Sequence, residues 1–448
     1  MSKVSQATGN GGAMVDAETL KDPNYCPPLK EAIPLGIQHV LAMFAGNVTV
    51  PIIIAGVAGL SGGDKIFLIQ TAMFVAGIAT LIQTIGFGPV GARLPIVQGT
   101  SFAFIPIMIP IVKTAGLGAL FASAAIGGVF HFFLGTFIGK FRGILPPLVT
   151  GIVVLSIGLA LIPIGIKYAA GGAGPVPDFG AWHHLGLAFL VIVVILIVKF
   201  MTKGFLSASA ILVGLVVGYL VAIPMGMVDF GRVASAGWFA LPSLLQYGFE
   251  INTAAVAGML LMSVVSAIET VGDISGITTG GAGREATDKE IAGGTMADGL
   301  GTAVGAFFGA MPNTSYSQNV GLVALTGVMS RHVVTCGAVF LIIAGLFPKL
   351  GAVISVMPNA VLGGASIIMF GMIAGAGLKL LSMTALSRRD MVIIAVSLGV
   401  GLGIQAVPES VKAFPEMAQL LLKSGLAPAA FLAVVLNLII PKEAPEKT

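Results

Sequence analysis

The sequence predicts an all-α polytopic membrane protein with fourteen transmembrane segments in two inverted seven-span repeats. Three observations carry that prediction. Of the 448 residues, 56% are hydrophobic and 9% are charged, against about 25% charged in a soluble domain, so lipid is the solvent for most side chains. Apolar runs of spanning length recur along nearly the whole chain. The second half of the sequence echoes the first.

Delimited by charges and by Gly/Pro clusters, the runs fall at 34–59, 66–87, 95–112, 116–139, 144–166, 184–199, 205–224, 250–277, 288–310, 311–329, 332–347, 357–377, 390–406 and 425–441. The stretch 1–32 before them is polar, with Asp16, Glu18, Lys21 and Asp22. It has no short apolar core and no cleavage pattern, and reads as a cytoplasmic tail rather than a signal peptide. A second cytoplasmic tail is expected at 442–448. With the N-terminus inside, sixteen of the 23 Lys and Arg fall on cytoplasmic segments and seven on outer ones (Lys65, Lys113, Lys167, Arg232, Lys349, Lys412 and Lys423). That bias fits an even number of spans with both termini cytoplasmic in a cell membrane. The net charge of +4 is spread over loops, so no basic patch is large enough for nucleic acid. Cys26 and Cys336 lie far apart in sequence, and no disulfide is expected.

The repeat keeps its order. Asp64-Lys65, Thr71 and Gly77 recur as Asp288-Lys289, Thr295 and Gly301. Thr100-Ser101-Phe102 recurs as Thr314-Ser315-Tyr316. The Gly127, Val129, Phe130 and Gly135 pattern returns at Gly337, Val339, Phe340 and Gly345, and Pro146, Val149 and Gly151 return at Pro358, Val361 and Gly363. Seven spans per half is odd, so the second repeat enters from the opposite side. Inverted repeats place a site near the midplane, where their broken helices meet. The third span, with Pro95, Pro106 and Pro110 around Gln98, Thr100 and Ser101, and the tenth, with Pro312 to Asn319, are those broken elements. Their freed backbone groups must be buried in protein or line a cavity.

Three carboxylates fall inside spans, and ionisable groups there usually mark function. Glu269 and Asp273 share one face of the eighth span, four residues apart. For Glu269 the alternative is a polar contact between helices, and for Asp273 a solvated helix-end acid. Asp298 sits in the ninth span among small residues that allow close helix approach. It is either a functional acid or an acceptor for backbone amides where the broken segments cross. Gln318 offers a donor and an acceptor from one planar amide. Phe102 and Tyr316 hold equivalent repeat positions, as stacking faces or as core packing. Asn319 either orients its neighbours or makes an interhelical hydrogen bond, and His39 in the first span is a structural residue or a binding one. Thr100, Ser101 and Ser317, with Gln98, line the same region.

The run Gln318-Asn-x-Gly-x-x-x-x-Thr326-Gly327 resembles the signature of the nucleobase–ascorbate transporter family. Its leading Gln resembles the purine branch; Glu there resembles uracil carriers, and Pro ascorbate carriers. Ser266-Ala-Ile-Glu269-Thr-Val-Gly-Asp273 is similar to the eighth span of purine-type members, and Gln38-His39 to their first span. The resemblance runs from about residue 30 to 441. It implies short paired strands in spans 3 and 10, each passing into a half-helix. It implies a core domain at 33–140 and 250–347, a gate domain at 141–249 and 348–441, and a homodimer formed through the gates. It also implies xanthine or uric acid import coupled to an inward cation, H⁺ or Na⁺. Glu269 would accept from ring N–H groups, Gln318 would read the N–H and C=O of an oxopurine edge, and Phe102 and Tyr316 would sandwich the ring. Asp298, Asp273, His39 and Asn319 would form the cation-coupling network.

Two other readings share these features: a uracil or other nucleobase symporter, and a sulfate/bicarbonate-type anion transporter of the same fold. A buried Glu269 counts against an anionic substrate, since like charges repel strongly in low dielectric. An ion channel would need ringed charges or a carbonyl filter, and the sequence offers neither. Gly280-Gly281-Ala282-Gly283 lacks the preceding strand and following Gly-Lys of a phosphate loop and reads as a flexible cytoplasmic connection. His183-His184 has no Cys or carboxylate at ligand spacing, so no metal is expected. With no nucleophile–base constellation, neither an enzyme nor a cofactor is expected.

Overall fold

Inside hydrocarbon each backbone N–H and C=O must find a partner within the chain, so the apolar runs fold as helices. They do so in the computed structural model, which describes residues 17–141, 146–172, 177–383 and 385–441. The tail residues 1–16 and 442–448, and residues 144–145 at the start of the expected fifth span, lie outside the described residues.

Among the described residues, eight helices are long and apolar enough to cross a membrane, and nine if the bent pair Arg331–Gly345 and Pro348–Ser355, angled at 83°, is one span. The remaining expected spans have physical reasons for missing that count. Ala210–Ala222 and Leu426–Ile439 are apolar but only 13 and 14 residues long, well short of the roughly 30 Å hydrocarbon thickness at 1.5 Å per residue. Asp288–Phe307 carries Asp288, Lys289, Glu290 and Asp298 and many small residues. The third and tenth segments are part strand. The expected break before the fourth span becomes a kink inside a 37-residue helix, Ile105–Phe141. Gly116 makes the kink at φ 80°, which only glycine adopts without strain.

Strand β1, Gln98–Thr100, pairs antiparallel with β2, Asn313–Ser315, in the register Gln98↔Ser315, Gly99↔Thr314 and Thr100↔Asn313. The ladder continues at both ends, with Ser101 N donating to Pro312 O at 2.8 Å and Tyr316 N to Val97 O at 3.1 Å. A threonine hydroxyl anchors each strand. Thr80 Oγ1 accepts from Gln98 N at 2.9 Å and donates to Gln98 O at 3.4 Å. Thr302 Oγ1 accepts from Asn313 N at 2.9 Å and donates to Asn313 O at 3.2 Å. β1 runs through a 3-10 turn at Phe102–Phe104 into Ile105–Phe141, and β2 into the short helix Ser317–Thr326. Because the strands are antiparallel, the two helices leave the crossing in opposite directions.

Around this crossing the helices pack in pairs drawn from both halves of the chain. Asp288–Phe307 lies along Ile105–Phe141, Arg331–Gly345 along Gly62–Ile85, and Asn359–Leu381 along Pro147–Ala169. The first pair is in backbone contact at Gly299, where an added Cβ would lie 2.2 Å from Phe132 N. The Gly280–Gly283 connection, expected to be flexible, is instead mostly a π-helical turn, Thr278–Ala282, that prolongs Thr253–Ile277. Gly281 within it is buried against Met329 and Val323.

Candidate functional site

The strand crossing gathers the carboxylates. Asp298 is fully buried on Asp288–Phe307. It accepts from Gln98 Nε2 on one oxygen, and from Thr270 Oγ1 and, at 3.4 Å, Ser315 N on the other. One side chain thus ties β1, β2 and the Thr253–Ile277 helix together. Asp273 is buried rather than solvated. Its Oδ2 accepts from Ser315 Oγ at 2.9 Å and its Oδ1 from Ser317 Oγ at 2.7 Å. Two turns earlier, Ser266 Oγ donates to Thr314 Oγ1 at 3.3 Å. The Thr253–Ile277 helix therefore presents a polar face, Ser266, Glu269, Thr270 and Asp273, to the crossing.

Glu269 differs from both aspartates. It is 8% exposed, and its Oε2 is buried with no hydrogen-bond partner. A buried carboxylate oxygen without a donor is costly in low dielectric, so this atom is the site's strongest open acceptor. Ser101 Oγ and Asn319 Oδ1 are also buried and unpartnered.

The first span closes the other side. Asn319 Nδ2 donates to His39 Nδ1 at 3.0 Å and to His39 O at 3.1 Å. His39 thus meets the half-helix through Asn319. Asn47, which the sequence reading passed over, accepts from Thr100 N at 2.9 Å and donates from Nδ2 to Ala72 O at 3.2 Å. Thr100 Oγ1 donates to Asn47 O at 2.8 Å. An Asn inside an apolar span was the available signal. The phenol of Tyr316 donates to Thr100 O at 2.8 Å. Tyr316 and Phe102 are both buried and converge on Gly46. A Cβ there would stand 2.8 Å from Tyr316 Cε1 and 3.2 Å from Phe102 Cε2. Phe102 also meets Phe370 edge to face at 5.3 Å. Phe370 lies on Asn359–Leu381, and nothing in its sequence context distinguishes it from an ordinary core aromatic.

Gln318 stands apart from the carboxylate network. It is half-buried and, with Ser317, lines a largely apolar cavity of about 660 Å³. The cavity separates Ser317–Thr326 from Trp182–Met201, Ala210–Ala222 and Asn359–Leu381, and Lys199 also borders it. Far from the crossing, the expectation that no carboxylate serves His183 and His184 is corrected. Asp178 Oδ2 lies 3.0 Å from His183 Nε2 and 2.8 Å from His184 Nε2. The turn before the helix folds the acid back over both rings, which sequence spacing alone does not reveal.

Residues 30–410 match the sequence profile of a family described as a permease family. The chain is 36% identical to the xanthine permease of Bacillus subtilis (strain 168), over 91% of this chain and 93% of that protein. It is 38% identical to the uric acid transporter UacT of Escherichia coli (strain K12), over 90% of this chain and 84% of that protein. Among solved structures it resembles the transmembrane domain of a cyanobacterium bicarbonate transporter, BicA. The TM-score is 0.58 at 14% identity, covering 91% of this chain and 97% of that one. At that identity the likeness concerns the fold.

Proposed function

The chain belongs to the nucleobase–ascorbate transporter family, and from that premise we propose that it imports xanthine and uric acid by alternating access, coupled to an inward proton. It is a multi-pass membrane transporter and not an enzyme. One observation carries the site assignment: of three buried carboxylates at one crossing, Asp273 and Asp298 have taken their donors and Glu269 has an oxygen without one. An oxopurine ring supplies the N–H groups that such an oxygen lacks. Gln318, on the adjoining cavity wall, offers an amide to the N–H and C=O edge of the base. Thr100, Ser101 and Ser317 add polar groups, and Phe102 and Tyr316 add ring faces. Asp298 and Asp273, with His39 and Asn319, form the network through which a proton biases the site.

Fourteen spans in two inverted repeats remain our reading of the architecture. In its favour, the helix pairings are reciprocal. The second-repeat helix Asp288–Phe307 packs on Ile105–Phe141, and its first-repeat counterpart Gly62–Ile85 packs on Arg331–Gly345. The division into a core (33–140, 250–347) and a gate (141–249, 348–441) is supported by the cavity that lies between Ser317–Thr326 and the gate helices. The core would rock against the gate, with both termini cytoplasmic in the cell membrane and two gates joined in a homodimer.

The test is uptake of labelled xanthine into proteoliposomes under an imposed pH gradient, with unlabelled uric acid, hypoxanthine, uracil, bicarbonate and sulfate as competitors. Accumulation competed by uric acid and dissipated by a protonophore is expected. Competition by bicarbonate or sulfate instead, or uptake indifferent to the gradient, would overturn the reading.

A further inference from the structure

We propose that Asp178, His183 and His184 form a binding site for a divalent transition metal of the zinc class, remote from the purine site. The three candidate ligand atoms all lie within 4.8 Å of one another. In a tetrahedral zinc site with bonds of about 2.0–2.1 Å, neighbouring ligand atoms are roughly 3.3 Å apart. The observed 3.0 and 2.8 Å from Asp178 Oδ2 to the two Nε2 atoms lie within a few tenths of an ångström of that spacing, and the third pair is within 4.8 Å. Two imidazoles and a carboxylate suit zinc, nickel and cobalt, whereas magnesium and calcium prefer oxygen donors. Three protein ligands leave the remaining position to water, as in open zinc sites.

The surroundings hold the set in place and leave it reachable. Gly180 N donates to Ala170 O at 2.8 Å, Ala181 N to Asp178 O at 3.0 Å, and His184 N to Ala181 O at 3.0 Å. These bonds fold the acid back over the start of Trp182–Met201. The His184 ring rests on Gly171, where an added Cβ would come 3.2 Å from its Cδ2. Gly171 O in turn accepts from Asn359 Nδ2 at 2.9 Å. The side chains of Asp178 and His183 are 48% and 32% exposed, so an ion reaches the open face from water. Binding through Nε2 takes each imidazole as the neutral ring with its hydrogen on Nδ1, which on His184 is buried and unpartnered.

Purified full-length protein in detergent is titrated with Zn²⁺ by calorimetry and with Co²⁺ by visible absorption. One saturable equivalent is expected, unaffected by excess Mg²⁺, with the intense cobalt bands of a low-coordinate site. Asp178→Asn and His183→Gln should each weaken Zn²⁺ binding by roughly tenfold or more, with xanthine binding retained as evidence of folding. Zinc should raise the melting temperature of the parent and not of the double variant. No saturable binding by the parent, or binding undiminished in Asp178→Asn/His183→Gln, would overturn the site and leave the cluster a hydrogen-bonded turn.

Discussion

Tyr316 Oη donates to the carbonyl of Thr100 across 2.8 Å, so the ring that follows the second strand is pinned to the last residue of the first. Thr100 is in turn held by both the side chain and the carbonyl of Asn47. The ring's position is set by the crossing itself, which is the pre-organisation a stacking face needs.

Tyr316→Phe keeps the ring and removes that bond. A buried carbonyl then loses a donor, at a cost of about 1–3 kcal/mol in stability. The expected outcome is a lower melting temperature with xanthine affinity reduced by less than the loss in Glu269→Gln. An unchanged melting temperature would mean that the phenol does not brace the crossing.

Glu269→Gln should leave the fold intact and cost a charge-assisted bond to substrate. That is roughly 1.5–3 kcal/mol, or about 10- to 150-fold in affinity. Xanthine binding to the purified variant is the measurement, and an affinity equal to the parent's removes Glu269 from the site.

Asp298→Asn confronts three donors, from Gln98, Thr270 and Ser315, with a single acceptor oxygen and an amide that itself donates. Stability should fall by about 1–3 kcal/mol, and accumulation against a gradient should be lost while some binding survives. By reciprocal linkage, lower external pH should tighten substrate binding in the parent. Full coupling in the variant would restrict Asp298 to bracing the strands.

Gln318→Glu replaces a donor and acceptor with acceptors only, so a purine C=O would face a carboxylate. An unpaired buried contact costs about 1–3 kcal/mol, enough to reorder ligands of similar size. Gln318→Asn retains the groups, withdrawn by one methylene, and should weaken all purines without reordering them. Competition of labelled xanthine by xanthine, uric acid, hypoxanthine and uracil reports the ranking. If Gln318→Glu leaves it intact, the amide does not read the ring.

Gly46→Ala tests the aromatic pair. The new methyl would stand 2.8 Å from Tyr316 and 3.2 Å from Phe102, so one ring must move. Overpacking of this kind costs about 1–3 kcal/mol. Melting temperature and xanthine affinity should fall together, and a variant matching the parent in both would show that the rings have room to yield.

Much of the candidate site's polar cluster was legible because chemistry out of place is conspicuous in an apolar sequence. Glu269, Asp273 and Asp298 stand out as carboxylates within spans, and Thr100-Ser101-Phe102 and Thr314-Ser315-Tyr316 mark the broken segments that hold the strands. Residues whose role depends on a distant partner were not legible. Phe370 is one aromatic among many until Phe102 is placed against it. Asp178 precedes the two histidines by five and six residues, a spacing that brings ligands together only after the turn forms. Helix ends suffered likewise, since the π-turn at Thr278–Ala282 is packed through Gly281 on Met329 and Val323, which local composition does not reveal.

The pairing of β1 with β2 also constrains how the chain is made. The strands come from opposite halves of the sequence, and ribosomes deliver the first half earlier. Gln98 and Thr100 N find partners in Thr80 and Asn47, from the same half, but until the segment around Asn313–Ser315 emerges Val97 O, Thr100 O and Ser101 N lack theirs, and hydrocarbon penalises each such group by several kcal/mol. The early segment must therefore wait in a hydrated or chaperoned setting during insertion, and release into lipid is tied to synthesis of the second half. A nascent chain arrested between the strands would remain exposed to membrane quality control, whereas the two halves expressed as separate polypeptides should rescue each other.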